Sequence, residues 1–202
     1  MGRFLLTVMV ITGLAGTINN TSLSKQERKS AINLMKDTRT ALLKSIRGLS
    51  DEQLNFKAGP DRWSIKECMY HIAISEKNLW GMMEMNMKSP ANPEKRTEIK
   101  VSDEDLIRMV EDRSKKVKTM EPFEPKNTPY KSMDDALMAY KDMRAEHIKY
   151  MKSTTEDMRN HVVSGMPFGS IDCYQFCLFM AAHNNRHMQQ IDEVKADPKF
   201  PK

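Results

Sequence analysis

Two histidines four residues apart, His183 and His187, have the type and spacing that most directly indicate chemistry in this sequence. Residues four apart in an α-helix differ by about 40° in direction, so both imidazoles would project from one face. That face is apolar, because at helical spacing it also carries Phe176, Met180, Ile191 and Val194. Buried imidazoles need partners, and either a shared divalent metal ion or separate hydrogen bonds to carbonyls and hydroxyls would provide them.

A third histidine, His71, lies in another predicted helix. This helix begins with the capping-box sequence Ser64-Ile65-Lys66-Glu67, and His71 falls on the margin of its apolar stripe. Three imidazoles on facing helices of a bundle would leave Zn²⁺ or a similar ion with its full charge and an open position. A water there could reach a pKa of about 7 and act as a nucleophile. No general base is evident, because the capping box already uses Glu67.

Four long amphipathic stretches predict an all-α fold, a four-helix bundle with an extra helix in the long connection between the second and third main helices. The extra helix is predicted from Ser102 to Met120. The segment from Asn160 to Ser170 is predicted to be a loop, because it contains two glycines and a proline. The main helices are predicted from Ser24 to the turn at Gly48, from Ser64 to Lys88, from Ser132 to about Asp157, and from about Ile171 to Lys195.

The composition fits one helical domain and argues against some functions. The chain has 202 residues, and its 18 methionines suit a helical protein with an adaptable core. Its formal charge is +5, but basic and acidic residues alternate and no basic run is interleaved with aromatics, so we expect no nucleic-acid partner. The three cysteines imply no disulfide framework.

The N-terminus predicts export. An apolar run follows Arg3, is too short to span a bilayer and ends in small residues, as in a secretory signal peptide. We therefore assign residues 1–20 to a signal peptide and 21–202 to the helical domain, with no integral membrane segment in the mature chain. The protein would be periplasmic or extracellular, and cytoplasmic if this segment is instead an apolar first helix.

Export predicts a shortened mature chain. Expressed from its full sequence in the native host, the mature protein should begin between about Ala15 and Thr21. Intact-mass spectrometry checks this directly. A mature form that retains Met1 or Gly2 would contradict the export hypothesis.

Several of these elements together resemble the DinB-like family of metal-binding proteins. The resemblance spans about Ser24 to the C-terminus and is carried by Trp63-Ser64-Ile65, His71-Ile72, His183 with Arg186-His187, and Gln190-Ile191. It implies a four-helix bundle in which His71, His183 and His187 bind Zn²⁺ or Ni²⁺. Some relatives resemble thiol-dependent S-transferases that use mycothiol or bacillithiol, and others are described as hydrolases without a known substrate.

The resemblance leaves three classes of function open. The first is a metal-dependent enzyme acting on a small-molecule substrate, either a hydrolase or a thiol-dependent S-transferase. Export favours the hydrolase, because low-molecular-weight thiols are cytosolic. The second is a non-catalytic metal- or ligand-binding module, whose site a fourth protein ligand would close. The third is a bundle that binds a partner and uses its histidines for packing. A homodimer is compatible with all three.

Overall fold

The computed structural model describes residues 22–202, so the predicted signal peptide lies outside the described residues. Six α-helices and one β-hairpin are arranged in chain order, and four of the helices are long. The bounds are α1 Lys25–Ile46, α2 Asp51–Asn55, α3 Ile65–Lys88, α4 Asp103–Glu111, α5 Met133–Ser153, β1 Val162–Met166, β2 Gly169–Asp172 and α6 Cys173–Lys195.

The four long helices form the predicted bundle. Helix α6 packs against α1 and α3, and α5 packs against the same two helices, so α5 and α6 lie diagonally opposite each other. The short helix α4 belongs to the long connection between α3 and α5 and packs on the outside of α6. The predicted architecture, including its extra helix, is confirmed. None of the helices within residues 22–202 is long and apolar enough to cross a bilayer.

The predicted helix starts depend on capping boxes that form in the structure. Ser64 Oγ accepts from the backbone N–H of Glu67 at 3.2 Å, and Glu67 Oε2 accepts from the backbone N–H of Ser64 at 2.8 Å. Ser24 and Glu27 form the same pair at the start of α1. Each cap satisfies helix amides that would otherwise lack partners and contributes about 1 kcal/mol.

The extra helix is shorter than its pattern of apolar residues predicted. It ends at Glu111 rather than Met120, because tertiary hydrogen bonds replace helical ones beyond that point. Arg186 of α6 donates to the carbonyl oxygens of Val110, Asp112 and Lys115. The carboxylate of Asp112 also accepts from the backbone N–H of Ser114 at 2.8 Å, which forms a local turn. The chain from Asp112 onward therefore crosses the surface beside α6.

A second correction concerns the predicted loop from Asn160 to Ser170, most of which forms the antiparallel hairpin β1–β2. Val162 pairs with Asp172 and Val163 with Ile171. The irregularity in the register follows from Gly165 and Gly169, whose φ angles are +82° and +103°. The two strands are five and four residues long, too short and too rich in glycine to show an alternating pattern.

Candidate metal centre

Three elements bring the three histidines together inside the bundle. His71 lies in the second turn of α3 and is 4% exposed, so it faces the interior rather than the groove beside the helix. His183 and His187 lie one turn apart on α6, and His187 is 7% exposed, whereas His183 is partly exposed. Because α3 packs against α6, the single imidazole of α3 meets the pair of α6.

The imidazoles converge through their Nε2 atoms. Nε2 of His183 lies 3.3 Å from Nε2 of His71 and 3.2 Å from Nε2 of His187. One ring nitrogen of each residue lies within 4.8 Å of the other two. Two nitrogen ligands of a tetrahedral Zn²⁺, each about 2.05 Å from the ion, are about 3.3 Å apart. The spacing of the donor atoms therefore fits a single divalent ion.

The opposite nitrogens of two imidazoles are held by oxygen acceptors. Nδ1 of His71 donates to the backbone carbonyl of Phe123 at 2.7 Å, and Nδ1 of His187 donates to Oε1 of Gln190 at 3.0 Å. An acceptor at Nδ1 places the ring hydrogen there and leaves the lone pair of Nε2 free. Metal-binding histidines in proteins are commonly oriented in this way.

Burial keeps the cluster neutral. Removal from water lowers the pKa of His71 to about 4, although its hydrogen bond to Phe123 opposes the shift. Burial also lowers the pKa of His183 and His187 well below the ordinary value, and the neighbouring imidazoles add to this effect. Neutral imidazole is the form that binds metal, so the cluster is in its ligand form at neutral pH.

The same side chains also offer a pattern of hydrogen bonds without a metal ion. Ser75 Oγ lies 3.5 Å from Nε2 of His71, and the neutral His183 could donate one hydrogen to His187. The Ser75 contact is at the long limit for a hydrogen bond involving a hydroxyl. Such a pattern would depend on one long contact, whereas an ion would use all three lone pairs.

The cluster contains three neutral imidazoles and no charged side chain. Within residues 22–202, no other group of three or more His, Cys, Asp or Glu side chains is close enough to share an ion, and no carboxylate or thiol joins these three. An ion held only by the imidazoles would keep its full charge. It would also keep an open position, as catalytic rather than structural zinc sites do.

An aromatic wall and a pocket border the cluster. The ring of Trp63 lies 4.9 Å from that of His71 and 5.9 Å from that of His187, measured between centroids. A pocket of about 550 Å³ opens beside them, and Trp63, His187 and Gln190 form part of its wall. A pocket of this size can hold a small organic molecule.

The other histidines stay outside the cluster. His161 contacts the carbonyl of Asn86 at 3.0 Å through Nδ1. His147 contacts the buried carboxylate of Glu76, as does Arg144.

Sequence reasoning missed the buried carboxylate of Glu76 and the backbone carbonyl of Phe123, of which only the second contacts the cluster. Glu76 could have been noticed as a charged residue one turn after Ile72 of the apolar stripe. The carbonyl of Phe123 has no such signal, because it is a backbone group at the end of a single 3₁₀ turn, Glu121–Phe123, and its contact does not depend on the residue type.

Comparison with known proteins agrees with this architecture. The chain is 24% identical over 164 residues to the uncharacterised protein YuaE of Bacillus subtilis strain 168, a match that covers 81% of this chain and 96% of YuaE. The fold is also similar to the solved structure of YfiT from Bacillus subtilis, which is described as a probable metal-dependent hydrolase with an unusual four-helix bundle topology. The two structures superpose with a TM-score of 0.59 at 13% sequence identity. The match covers 86% of this chain and 89% of YfiT. At that identity the likeness shows a shared fold.

The family assignment comes from the sequence itself. Residues 34–191, which include the three clustered histidines and most of the bundle, match the DinB superfamily. The resemblance noted from the tryptophan-serine and histidine elements is thereby confirmed. The chain belongs to the DinB superfamily.

Proposed function

We propose that this protein is a metal-dependent hydrolase that acts on a small molecule, with His71, His183 and His187 as ligands of one divalent ion. The observation that carries the proposal is the convergence of three neutral Nε2 atoms beside a pocket of about 550 Å³. The description of YfiT as a probable metal-dependent hydrolase supports it by analogy of fold.

The residues around the cluster have separate roles in this proposal. The Phe123 carbonyl and Gln190 orient the rings of His71 and His187. Trp63 covers both rings and limits the access of water. When bound, a divalent ion supplies Lewis acidity that polarises a carbonyl or phosphoryl oxygen and strengthens water as a nucleophile at neutral pH.

No cysteine offers a competing nucleophile. Burial raises the pKa of Cys68 to about 12 and that of Cys173 to about 12, and it raises the pKa of Cys177 further. Thiols that stay protonated inside a core are inert at neutral pH. The burial of all three cysteines therefore favours metal-assisted over cysteine-based hydrolysis.

The pocket carboxylates differ in their contacts within residues 22–202: Glu124 pairs with Lys126 at 2.6 Å, whereas Asp61 is exposed at the surface and forms no ion pair. Glu67 lines the pocket, but Oε2 accepts from the backbone N–H of Ser64 and Oε1 pairs with Lys57 at 2.7 Å. In the proposed reaction a bound ion would supply the activation of water, and Glu67 would stay engaged in the cap of α3. Zinc and nickel are the metals we favour, because both suit an all-imidazole ligand set.

Hydrolysis should depend on the ion. We expect protein loaded with Zn²⁺ or Ni²⁺ to hydrolyse at least one class in a panel of chromogenic carboxylic esters, anilides and phosphate esters. Chelation should lower the rate by at least about 100-fold, and restoring the metal should recover it. Release of nitrophenol or nitroaniline measures the rate.

His183→Ala should abolish this activity, whereas His161→Ala, the matched histidine outside the cluster, should retain it. Activity that survives chelation would show that hydrolysis does not use the ion. Stoichiometric metal binding without turnover of any class would instead assign the protein to the non-catalytic metal-binding modules.

A further inference from the structure

The pocket beside His187 has an unequal distribution of charge. Eight of its lining residues are lysines or arginines, and only three are acidic, Asp61, Glu67 and Glu124. The whole chain is more balanced, with 32 basic and 27 acidic residues. Positive charge is therefore concentrated around this concavity, where low-dielectric walls strengthen its field.

Half of these cations have carboxylate partners. Lys57 pairs with Glu67 at 2.7 Å and Lys126 with Glu124 at 2.6 Å. Arg62 and Arg113 share a single carboxylate just outside the lining, that of Glu193, at 3.2 and 2.6 Å.

The other four cations make no ion pair within residues 22–202, and they are Lys115, Lys116, Lys118 and Arg186. Asp61 is the single lining carboxylate that is also unpaired there, and it is exposed at the surface. The unpaired charge of the pocket is therefore strongly positive.

Arg186 fixes part of this charge next to the proposed ligands. It directly precedes His187, is half-buried, and donates to three backbone carbonyls rather than to a carboxylate. The carboxylate of Glu193 is paired with Arg113, and that of Asp112 accepts hydrogen bonds from Ser114. A half-buried cation without a counterion is unfavourable, and an anionic ligand would relieve it.

The same hydrogen bonds build the cationic wall of the pocket. By holding the carbonyls of Asp112 and Lys115, Arg186 directs the segment that follows α4 across the pocket mouth. That segment contributes Lys115, Lys116 and Lys118 to the lining. The three lysines are exposed and free to close on a ligand.

We propose that this pocket selects a small substrate bearing a carboxylate or phosphate group, which the 115–118 segment and Arg186 bind while the bond to be cleaved lies at the histidine cluster. This inference rests on the proposed function, because it assigns the substrate class of the same site. An ion held by neutral ligands would add to the attraction, since it keeps its full charge.

A matched pair of probes tests the charge preference. Succinate and succinamide have nearly the same shape, but only succinate carries charge at neutral pH, and inorganic phosphate distinguishes phosphate from carboxylate recognition. Binding to the full chain is measured by isothermal titration calorimetry, once with metal and once after chelation. We expect succinate or phosphate to bind at least about 10-fold more tightly than succinamide in both states, with affinity falling as salt rises.

The triple variant Lys115→Gln, Lys116→Gln and Lys118→Gln should weaken binding of the anion by at least about 10-fold. The control variant Lys29→Gln, Lys36→Gln and Lys152→Gln makes the same change of charge at exposed helix positions and should bind as the wild type does. The proposal would be overturned if neither succinate nor phosphate bound more tightly than succinamide, or if both variants lost anion affinity equally.

The experiment also separates this inference from the proposed function. Anion binding that persists after chelation supports the charged pocket even if the histidines bind no metal. Metal-dependent hydrolysis of neutral substrates without anion preference would support the hydrolase and contradict the anionic substrate.

Discussion

Replacing Glu76 with glutamine is expected to lower the free energy of unfolding by about 3 kcal/mol at pH 7. Glu76 is 3% exposed, and its two oxygens contact Arg144 Nη2 at 2.5 Å and His147 Nδ1 at 2.6 Å. Glutamine keeps the shape but removes the negative charge, which leaves the fully buried guanidinium of Arg144 without a counterion. Two nitrogens of Arg144 already lack a partner within residues 22–202, so the site offers no obvious replacement.

This loss should depend on pH. Burial by itself would raise the pKa of Glu76, but the charge of Arg144 and the hydrogen bond from His147 outweigh it and hold the pKa below the ordinary 4.5. A depressed pKa in the folded state contributes stability above the unfolded pKa, and that stability is lost as the pH falls through the folded value. The difference between wild type and Glu76→Gln should therefore be full at pH 7 and narrow below about 4.5.

Urea unfolding followed by circular dichroism at pH 7 and at about pH 3.5 measures both effects. Glu146→Gln is the matched control, because Glu146 forms an exposed pair with Lys149 at 3.6 Å and should change stability by less than about 0.5 kcal/mol. Adding Arg144→Met to Glu76→Gln should cost little more, since the uncompensated charge is then removed. A Glu76→Gln protein as stable as the wild type at pH 7 would show that the ion pair makes no net contribution.

The parts of the fold that follow helical periodicity could be predicted from the sequence. The apolar stripe of α6 placed His183 and His187 on one buried face, and the Ser64 capping box fixed the start of α3. Spacing alone left His71 on the margin of its stripe, because a residue there can face either the core or the adjacent groove. Packing of α3 against α6 decides that direction, and packing is a property of the whole bundle.

The parts that depend on tertiary hydrogen bonds could not be predicted. Helix α4 ends at Glu111 because Arg186, which follows it by more than 70 residues, binds the carbonyls beyond that point. Phe123 contacts His71 through its backbone carbonyl, and a backbone contact cannot be predicted from the residue type. The β1–β2 hairpin contains two glycines at positive φ, and these conceal the strand pattern.

Loss of metal on substitution of His71 is the second large effect we expect. Wild-type protein should bind one equivalent of a divalent ion. His71→Ala and His183→Ala should each weaken metal binding by at least about 100-fold, because substitution even of the residues that orient metal ligands typically costs about 10- to 100-fold in affinity. Combining them should cost little more than either alone, because three ligands of one ion act as a unit. The ion should also raise the free energy of unfolding, by about 2.7 kcal/mol when its free concentration is 100 times the dissociation constant.

The most direct test of the account is the metal content of His71→Ala. The protein is prepared without a histidine tag, never exposed to a nickel column, dialysed against excess Zn²⁺ and then against buffer, and analysed by plasma mass spectrometry. His161→Ala, which alters a histidine outside the cluster, is treated in the same way. The account predicts one equivalent of metal in the wild type and in His161→Ala, and far less than one in His71→Ala. One full equivalent of tightly bound metal in His71→Ala would show that α3 supplies no ligand, and the three-histidine centre would be wrong.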